Sequence, residues 1–509
     1  MSKESGLGDR RRNSGDKRRE LAAGAVGSLY ERKMLNCLAI SSEKRNFAAP
    51  LPNCQNKMKR NYVLLAMALF LSFGAKAADY EHYSEWMTYS EIKRVPHPYN
   101  LDFSPYSPRW SYQVGIELDG MLDVYTTYGG DKLEKYLKEY PKKMIDAKGN
   151  ITGYSYDDFN LDNVRPGHFL LRYYQLFPEK KDSLALDLLM TQLENQPRTD
   201  EGVWWHKAIY ARQVWLDGIF MGLPYYTLAA PWLNPDYVTD YYDDAVDQIT
   251  KTDFRTYDEA TRLWKHAWDE THQMFWANPE TGLSRHTWAR ALGWFTMAMI
   301  EVLDALPEDY ARREEIVALL QRAMKSVADY QDQASSVWFD VLDVDDPRNY
   351  LEATSSSMFT YCMLKGWRLG YLDDSYRDRG IRAYKGLVKE FVKRNSDGTM
   401  SLTKCCSVSG LGPENKPNRD GSFEYYMSEP IRDNDAKGIG PFIWASLEME
   451  RLGFTIQNLD THQPTGIISR RQESSCGDAH SYDLTGRRVT DRSRGVIIIQ
   501  NGRKFFQTK

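Results

Sequence analysis

From about residue 110 to residue 453 the chain repeats one arrangement: an apolar segment of helical period, a short turn, and a more charged segment of the same period. The first is "WSYQVGIELDGMLDVYTTYG", which sets Val114, Leu118, Met121 and Tyr125 on one stripe and stops at Gly129-Gly130. "DKLEKYLKEYPKKMI" follows as its polar partner. The pairing recurs at 163–176 with 180–196, 206–221 with 223–251, 287–304 with 308–332 and 353–370 with 373–394, and a last helix covers 437–452. A helix apolar nearly all round must be buried, whereas its charged partner faces water. Near twelve such helices, with few and short strand-like runs, predict a toroid of inner helices shielded by outer ones. The hairpins share no tight repeat, which separates this pattern from a solenoid.

The two ends differ from this body. Residues 1–57 carry 12 Lys/Arg against 6 Asp/Glu with little periodicity. "MKRNYVLLAMALFLSFGAKA" then reads as a signal peptide over 58–77: Lys59 and Arg60 are the positive start, Val63 to Phe73 the apolar stretch, and Ala75-Lys76-Ala77 the small-x-small cleavage pattern. That apolar stretch is too short to span a membrane comfortably. The body is expected over 78–455, a linker over 456–479 and a short β tail over 480–509, where β-branched runs flank Asn501-Gly502. A net charge of −4 and no basic stripe argue against nucleic acid as a partner. No Cys or His cluster has metal-ligand spacing, so neither a metal nor a cofactor is expected.

One acid stands out. "WWHKAIYARQVWLDGIFMGLPYY" sets Asp217 among Trp, Leu, Ile, Phe and Met. At helical spacing His206, Tyr210, Gln213 and Asp217 would share one face. Apolar surroundings raise a carboxyl pKa, and a carboxyl kept protonated at neutral pH is a general acid. The same stripe fits a structural Asp satisfied by backbone donors or an ion pair. Asp162, in "FNLDNVRPGHF", fits a site acid or a plain helix cap. His266 sits between two Trp in "LWKHAWDE". Arg290 and Trp294 stand one turn apart in "RHTWARALGW", as a carboxylate clamp with a stacking ring or as ordinary packing. Glu352, in "NYLEATSSSMF", precedes a Ser/Thr cluster that suits a helix start. An aromatic content of 13%, with 33 Tyr and 14 Trp, suits sugar rings and a large core alike.

Several motifs in order, "WLDGIFMGLP", "HAWDE", "NPETGLSRHTWARALGWFTMAMIEVLD" and "YLEATSSSMFTYCMLKG", resemble the unsaturated glucuronyl and rhamnogalacturonyl hydrolases, family 105 of the glycoside hydrolases and relatives of family 88. The resemblance runs from about residue 108 to 453. It implies an all-α (α/α)6 six-hairpin toroid, here with a short C-terminal β appendage, and no metal or cofactor. It also implies an unusual chemistry. The substrate is an oligosaccharide ending in a 4,5-unsaturated uronic acid left by a polysaccharide lyase, and the enzyme hydrates the C4=C5 vinyl ether. By this resemblance Asp217 is the acid/base and Asp162 a second catalytic acid. His206 lies beside the reacting ring and Trp215 stacks on it. His266, Arg290 and Trp294 hold the uronate carboxylate and ring, and Tyr112 forms a pocket wall. The tail "YDLTGRRV…RGVIIIQNGRKFF" resembles the β tails of secreted proteins from Bacteroides-type bacteria, and with the signal peptide it implies a periplasmic or secreted protein. Pectic rhamnogalacturonan fragments are the expected substrate. The alternatives are unsaturated fragments of ulvan, arabinogalactan or glucuronan, a sugar epimerase, and a non-catalytic glycan-binding toroid.

Overall fold

The computed structural model describes residues 80–102, 107–463, 497–500 and 503–506. The expected extension over 1–57, the signal peptide over 58–77 and most of the expected linker lie outside the described residues. In chain order the helices are α1 (Tyr83–Arg94), α2 (Tyr112–Tyr128), α3 (Asp131–Met144), α4 (Pro166–Leu176), α5 (Lys180–Glu194), α6 (Leu216–Leu233) and α7 (Val238–Thr256). They continue as α8 (Ala289–Ala305), α9 (Arg313–Asp329), α10 (Ala353–Arg368), α11 (Asp374–Phe391), the short α12 (Phe423–Ser428) and α13 (Ala436–Arg451).

The apolar member of each pair is the inner helix. α2, α4, α6, α8, α10 and α13 each pack on the next, and α13 returns to α2, closing a ring. The charged members α3, α5, α7, α9 and α11 lie behind the first five, and α1 lies behind α13. This is the (α/α)6 toroid. α1 is the outer helix that the sequence pattern does not show, because Ser84, Thr88, Ser90 and Glu91 are buried in it beside Trp86, Met87 and Ile92. Bare backbone lets the inner helices close up. A Cβ at Gly440 would stand 2.6 Å from Ile116 Cγ2, and one at Gly115 only 2.7 Å from Pro166 Cα. The inner helices supply the core: Ala289 to Leu303 of α8 are buried without a break.

Charge also runs through the ring interior. Arg165, fully buried, donates to Glu301 at 2.8 Å and Asp119 at 3.1 Å. Asp119 is also met by Arg172 and His168, both at 2.5 Å. Its carboxyl is pressed upward by burial, but His168, Arg172 and Arg165 together pull it well below the ordinary carboxylate range.

The expected helix over 206–221 is not there. His206 is in coil, Ala208–Tyr210 is a single 3-10 turn, and Gln213–Trp215 is a strand paired antiparallel with Ala267–Asp269. Arg212, with φ of 60°, ends any helical path before that strand. The helix begins at Leu216 and runs through Pro224 and Pro231 to Leu233, so the expected break after 221 is also absent. A proline removes one helical hydrogen bond, and burial of nearly every side chain from Leu216 to Ala230 outweighs it. The turn comes instead at Asn234-Pro235, and the outer partner covers Val238–Thr256. At the C-terminus, Ile497–Gln500 pairs antiparallel with Arg503–Phe506 across Asn501-Gly502, the hairpin that this dipeptide predicts.

Candidate active site

The inner helices begin at one mouth of the ring. Tyr112 opens α2, and its hydroxyl, held well above the usual phenol range first by burial, also feels Asp162, Arg290, Asp435 and Asp217. Those groups lie before α4, in α8, before α13 and in α6. Helix starts present unpaired N–H groups and the positive end of the helix dipole, which favours anions in this space.

Asp217 is the second residue of α6. Its Oδ2 lies 3.3 Å from His266 Nε2, yet the two are not aligned as a hydrogen bond, and each atom is buried without another partner. Both therefore keep hydrogen-bonding capacity for a reactant. His266 is fully buried; its Nδ1 is 2.9 Å from the Tyr426 hydroxyl. Burial pushes the Asp217 carboxyl up, as the sequence suggests. His266, His206 and Arg290 overcome that push and leave the carboxyl below the ordinary aspartate value. The expectation of an Asp217 kept protonated near neutrality by its apolar surroundings is thus corrected. The apolar neighbours and His206 were legible in the same stretch, but His266 and Arg290 arrive from elsewhere in the chain.

Three rings form a wall beside Asp217. Trp215 stacks on Tyr210 at 4.6 Å and on His206 at 5.1 Å, with interplanar angles of 17° and 16°. Gly218 makes room for this wall, since a Cβ there would stand 3.0 Å from His206 Nδ1. Burial holds the His206 imidazole down to about 4, against the pull of Asp162, so it is neutral at neutral pH. Asp162 sits in the 3-10 turn Leu161–Asn163 rather than capping α4. It accepts from Lys207 Nζ at 2.5 Å and lies 3.5 Å from His206 Nε2. Burial would lower the Lys207 ammonium, but Asp162 outweighs that and raises it above its ordinary value.

Arg290, in the first turn of α8, donates to the Cys406 carbonyl at 2.5 Å and lies 4.5 Å from the centre of the Trp288 ring. Its Nε has no partner. Trp294 does not join it. One turn further in, Trp294 stacks on Phe220 at 4.9 Å in the core, and Arg165 covers the other part of that layer, 4.1 Å from Phe220. The 3.6-residue spacing correctly put Arg290 and Trp294 on one side of α8, but the helix points into the ring, so the deeper residue packs inside. Trp288 takes the place expected for Trp294 beside the arginine. Glu352 caps α10, accepting from Ser355 N at 2.7 Å and from Cys406 N at 2.9 Å.

The structure thus gathers Asp217, Asp162, His206, Trp215, His266, Arg290 and Tyr112, and leaves Trp294 in the core. It adds Lys207, Trp288 and Tyr426, and puts Tyr210, from the expected polar stripe, in the wall. Lys207 follows His206 in the chain. Tyr426 is 160 positions from its partner His266, and no local pattern announces it.

The toroid thus carries acids, imidazoles, a buried guanidinium and stacked rings at the mouth where its inner helices start. A family model described as Glycosyl Hydrolase Family 88 matches residues 83–453. A family 105 glycoside hydrolase of C. acetobutylicum has a similar structure, at 38% identity and a TM-score of 0.69, over 73% of this chain and 100% of that one. Among curated sequences, the 24.9 kDa protein in the picA locus of Rhizobium radiobacter is 36% identical over 211 residues, 40% of this chain and 89% of the relative. An unsaturated 3S-rhamnoglycuronyl hydrolase of Formosa agariphila is 23% identical over 316 residues, 59% of this chain and 71% of that protein. An unsaturated glucuronyl hydrolase from Bacillus sp. GL1 shares the fold, at 14% identity and a TM-score of 0.52, over 72% of this chain and 95% of that one. The chain belongs to family 105 of the glycoside hydrolases, which is related to family 88.

Proposed function

We propose that the protein releases a terminal 4,5-unsaturated uronic acid from lyase-generated oligosaccharides, with pectic rhamnogalacturonan fragments as substrate, by hydrating the C4=C5 bond. The observation that carries this reading is Asp217 beside His266, under the Tyr210–Trp215–His206 wall, with Arg290 in the same pocket.

Arg290, helped by the helix starts, takes the uronate carboxylate. The flat, half-planar ring of the unsaturated sugar lies against the aromatic wall. In the empty site Asp217 is ionised. A bound carboxylate absorbs the field of Arg290, adds a second negative charge near Asp217 and displaces water. Each of these raises the Asp217 pKa, and His266, 3.3 Å away, is the nearest group able to hand it a proton. Asp217 then gives that proton to C4, leaving positive charge shared between C5 and the ring oxygen. A water molecule adds at C5 while the Asp217 carboxylate takes its proton back. The resulting hemiketal opens and frees the next sugar. One carboxyl cycles as acid and base, whereas ordinary glycosidases divide the work between two. Asp162, committed to Lys207 and His206, holds the wall in place.

The pH dependence follows with a definite sign. In kcat/KM, which reports the free enzyme, Asp217 titrates below the ordinary aspartate value. In kcat, which reports the bound complex, its apparent pKa is higher, so the range of proton-donating competence extends toward neutral pH. Parallel profiles measured at saturating and low substrate check this, and coincident values in both would refute the loading step.

Substrate is assigned by incubating the protein with lyase digests of rhamnogalacturonan, ulvan and glucuronan while following the ultraviolet band of the conjugated alkene. Rhamnogalacturonan fragments lose the band fastest on this reading. Bleaching of another digest alone would move the substrate, and binding without bleaching of any would leave a glycan-binding toroid.

A further inference from the structure

Asp340 lies in the loop between α9 and α10, fully buried, and the scheme above does not use it. Its Oδ1 accepts from the Trp288 indole at 3.0 Å, its carbonyl accepts from Ala289 N at 2.8 Å, and its Oδ2 has no aligned hydrogen bond, although the Tyr350 hydroxyl lies within reach of the carboxyl. Trp288 in turn carries Arg290 at 4.5 Å from its ring centre, touches His266 at 4.9 Å and stacks with Tyr426 at 6.3 Å. One side chain and its backbone therefore anchor the start of α8 and the ring between the proposed carboxylate clamp and the proposed proton source.

We propose that Asp340 is a positioning residue of this site: it fixes the Trp288 indole, and through it Arg290 and His266. The inference rests on the reaction proposed above. The surroundings of Asp340 suit a neutral acid. A buried carboxylate needs several donors or a cation of its own, and this one has the Trp288 N–H and, less well aligned, the Tyr350 hydroxyl. Glu352, before α10, faces it as a second carboxyl group, and Tyr350, Cys406 and Tyr426 lie around it as groups that add no positive charge. Arg290 is the cation that faces it, and Arg290 also answers to Glu352 and Asp435. Burial first, and Glu352 second, lift the Asp340 carboxyl to about 8. Above that pH the new charge competes with substrate for Arg290, so KM rises before kcat falls.

Asp340→Asn copies the neutral acid in shape and keeps an acceptor for Trp288. In wild type, kcat/KM on the digest that bleaches falls above a midpoint near 8, by about tenfold per pH unit as expected for one ionisation. The variant matches wild type at neutral pH and lacks that fall. A second readout needs no substrate. The indole N–H resonance of Trp288, identified by its loss in Trp288→Phe, titrates with the same midpoint in wild type and stays fixed in Asp340→Asn. The same alkaline fall in the variant, or an indole resonance that does not move in wild type, overturns the proposal. A wild type that bleaches no digest at any pH refutes the reaction instead, and the indole titration then still decides whether Asp340 governs Trp288.

Discussion

Asp217→Asn is expected to lower kcat by on the order of 10²–10⁴-fold, the usual worth of a positioned general acid–base group, while KM and the unfolding temperature change little. Asn retains the shape and can still meet His266, but it cannot deliver a proton to carbon and recover one from water. The small change in stability follows from the site. Asp217 lies at the solvent-reaching mouth with a 14% exposed side chain, and its Oδ2 has no aligned hydrogen bond to lose. Steady-state kinetics on a bleaching digest, with circular dichroism of the same preparation, checks both halves. A variant that turns over at the wild-type rate removes Asp217 from the chemistry. A variant that has unfolded would show that the acid is a structural one, the other reading of its sequence setting.

The second large effect is on folding. Arg165→Met is expected to destabilise the protein by about 3–5 kcal/mol, the range for removing one partner of a buried ion pair. Arg165 is fully buried and holds Glu301 and Asp119 from two different inner helices. Met fills much of the volume but leaves Glu301 without its 2.8 Å donor inside the ring. The double variant Arg165→Met with Glu301→Gln removes the stranded charge and should recover part of the loss, because the cost of the single variant is chiefly that of an unpaired buried ion. Denaturant unfolding of the three proteins measures this. Equal destabilisation of the single and double variants would show that Arg165 acts by packing on Phe220, from which it is 4.1 Å distant.

These two residues also show what could be read from the chain. The ring was legible because inner helices must be apolar and outer ones amphipathic, so five of the six hairpins announce themselves through periodicity. α1 did not, since its buried face carries Ser, Thr and Glu; Ser84 bonds to Glu450, 366 positions away, and Ser90 accepts from Met400 N, 310 positions away. Asp217 was legible as an acid in an apolar run, but the helix expected around it was the wrong one. His206 and Tyr210 reach Trp215 by a turn and a strand rather than along a helical face, because the pairing of Gln213–Trp215 with Ala267–Asp269 overrides the local period. That same pairing brings His266 to Asp217. The protonation state was not legible. It depends on groups 49 and 73 positions from Asp217, His266 and Arg290, and their approach is a property of the closed ring. Arg165 reads in sequence as an ordinary arginine in the first turn of the helix expected over 163–176, and nothing local distinguishes it as buried.

The central claim is that water attacks the alkene and not the glycosidic carbon. It is tested most directly by running the reaction in isotopically labelled water and locating the label in the released uronic acid by mass spectrometry and NMR. Hydration predicts deuterium at C4 and labelled oxygen at C5, with loss of the ultraviolet band at the rate of sugar release. Labelled oxygen at C1, with C4 unlabelled and the band intact as the sugar is released, would contradict the account.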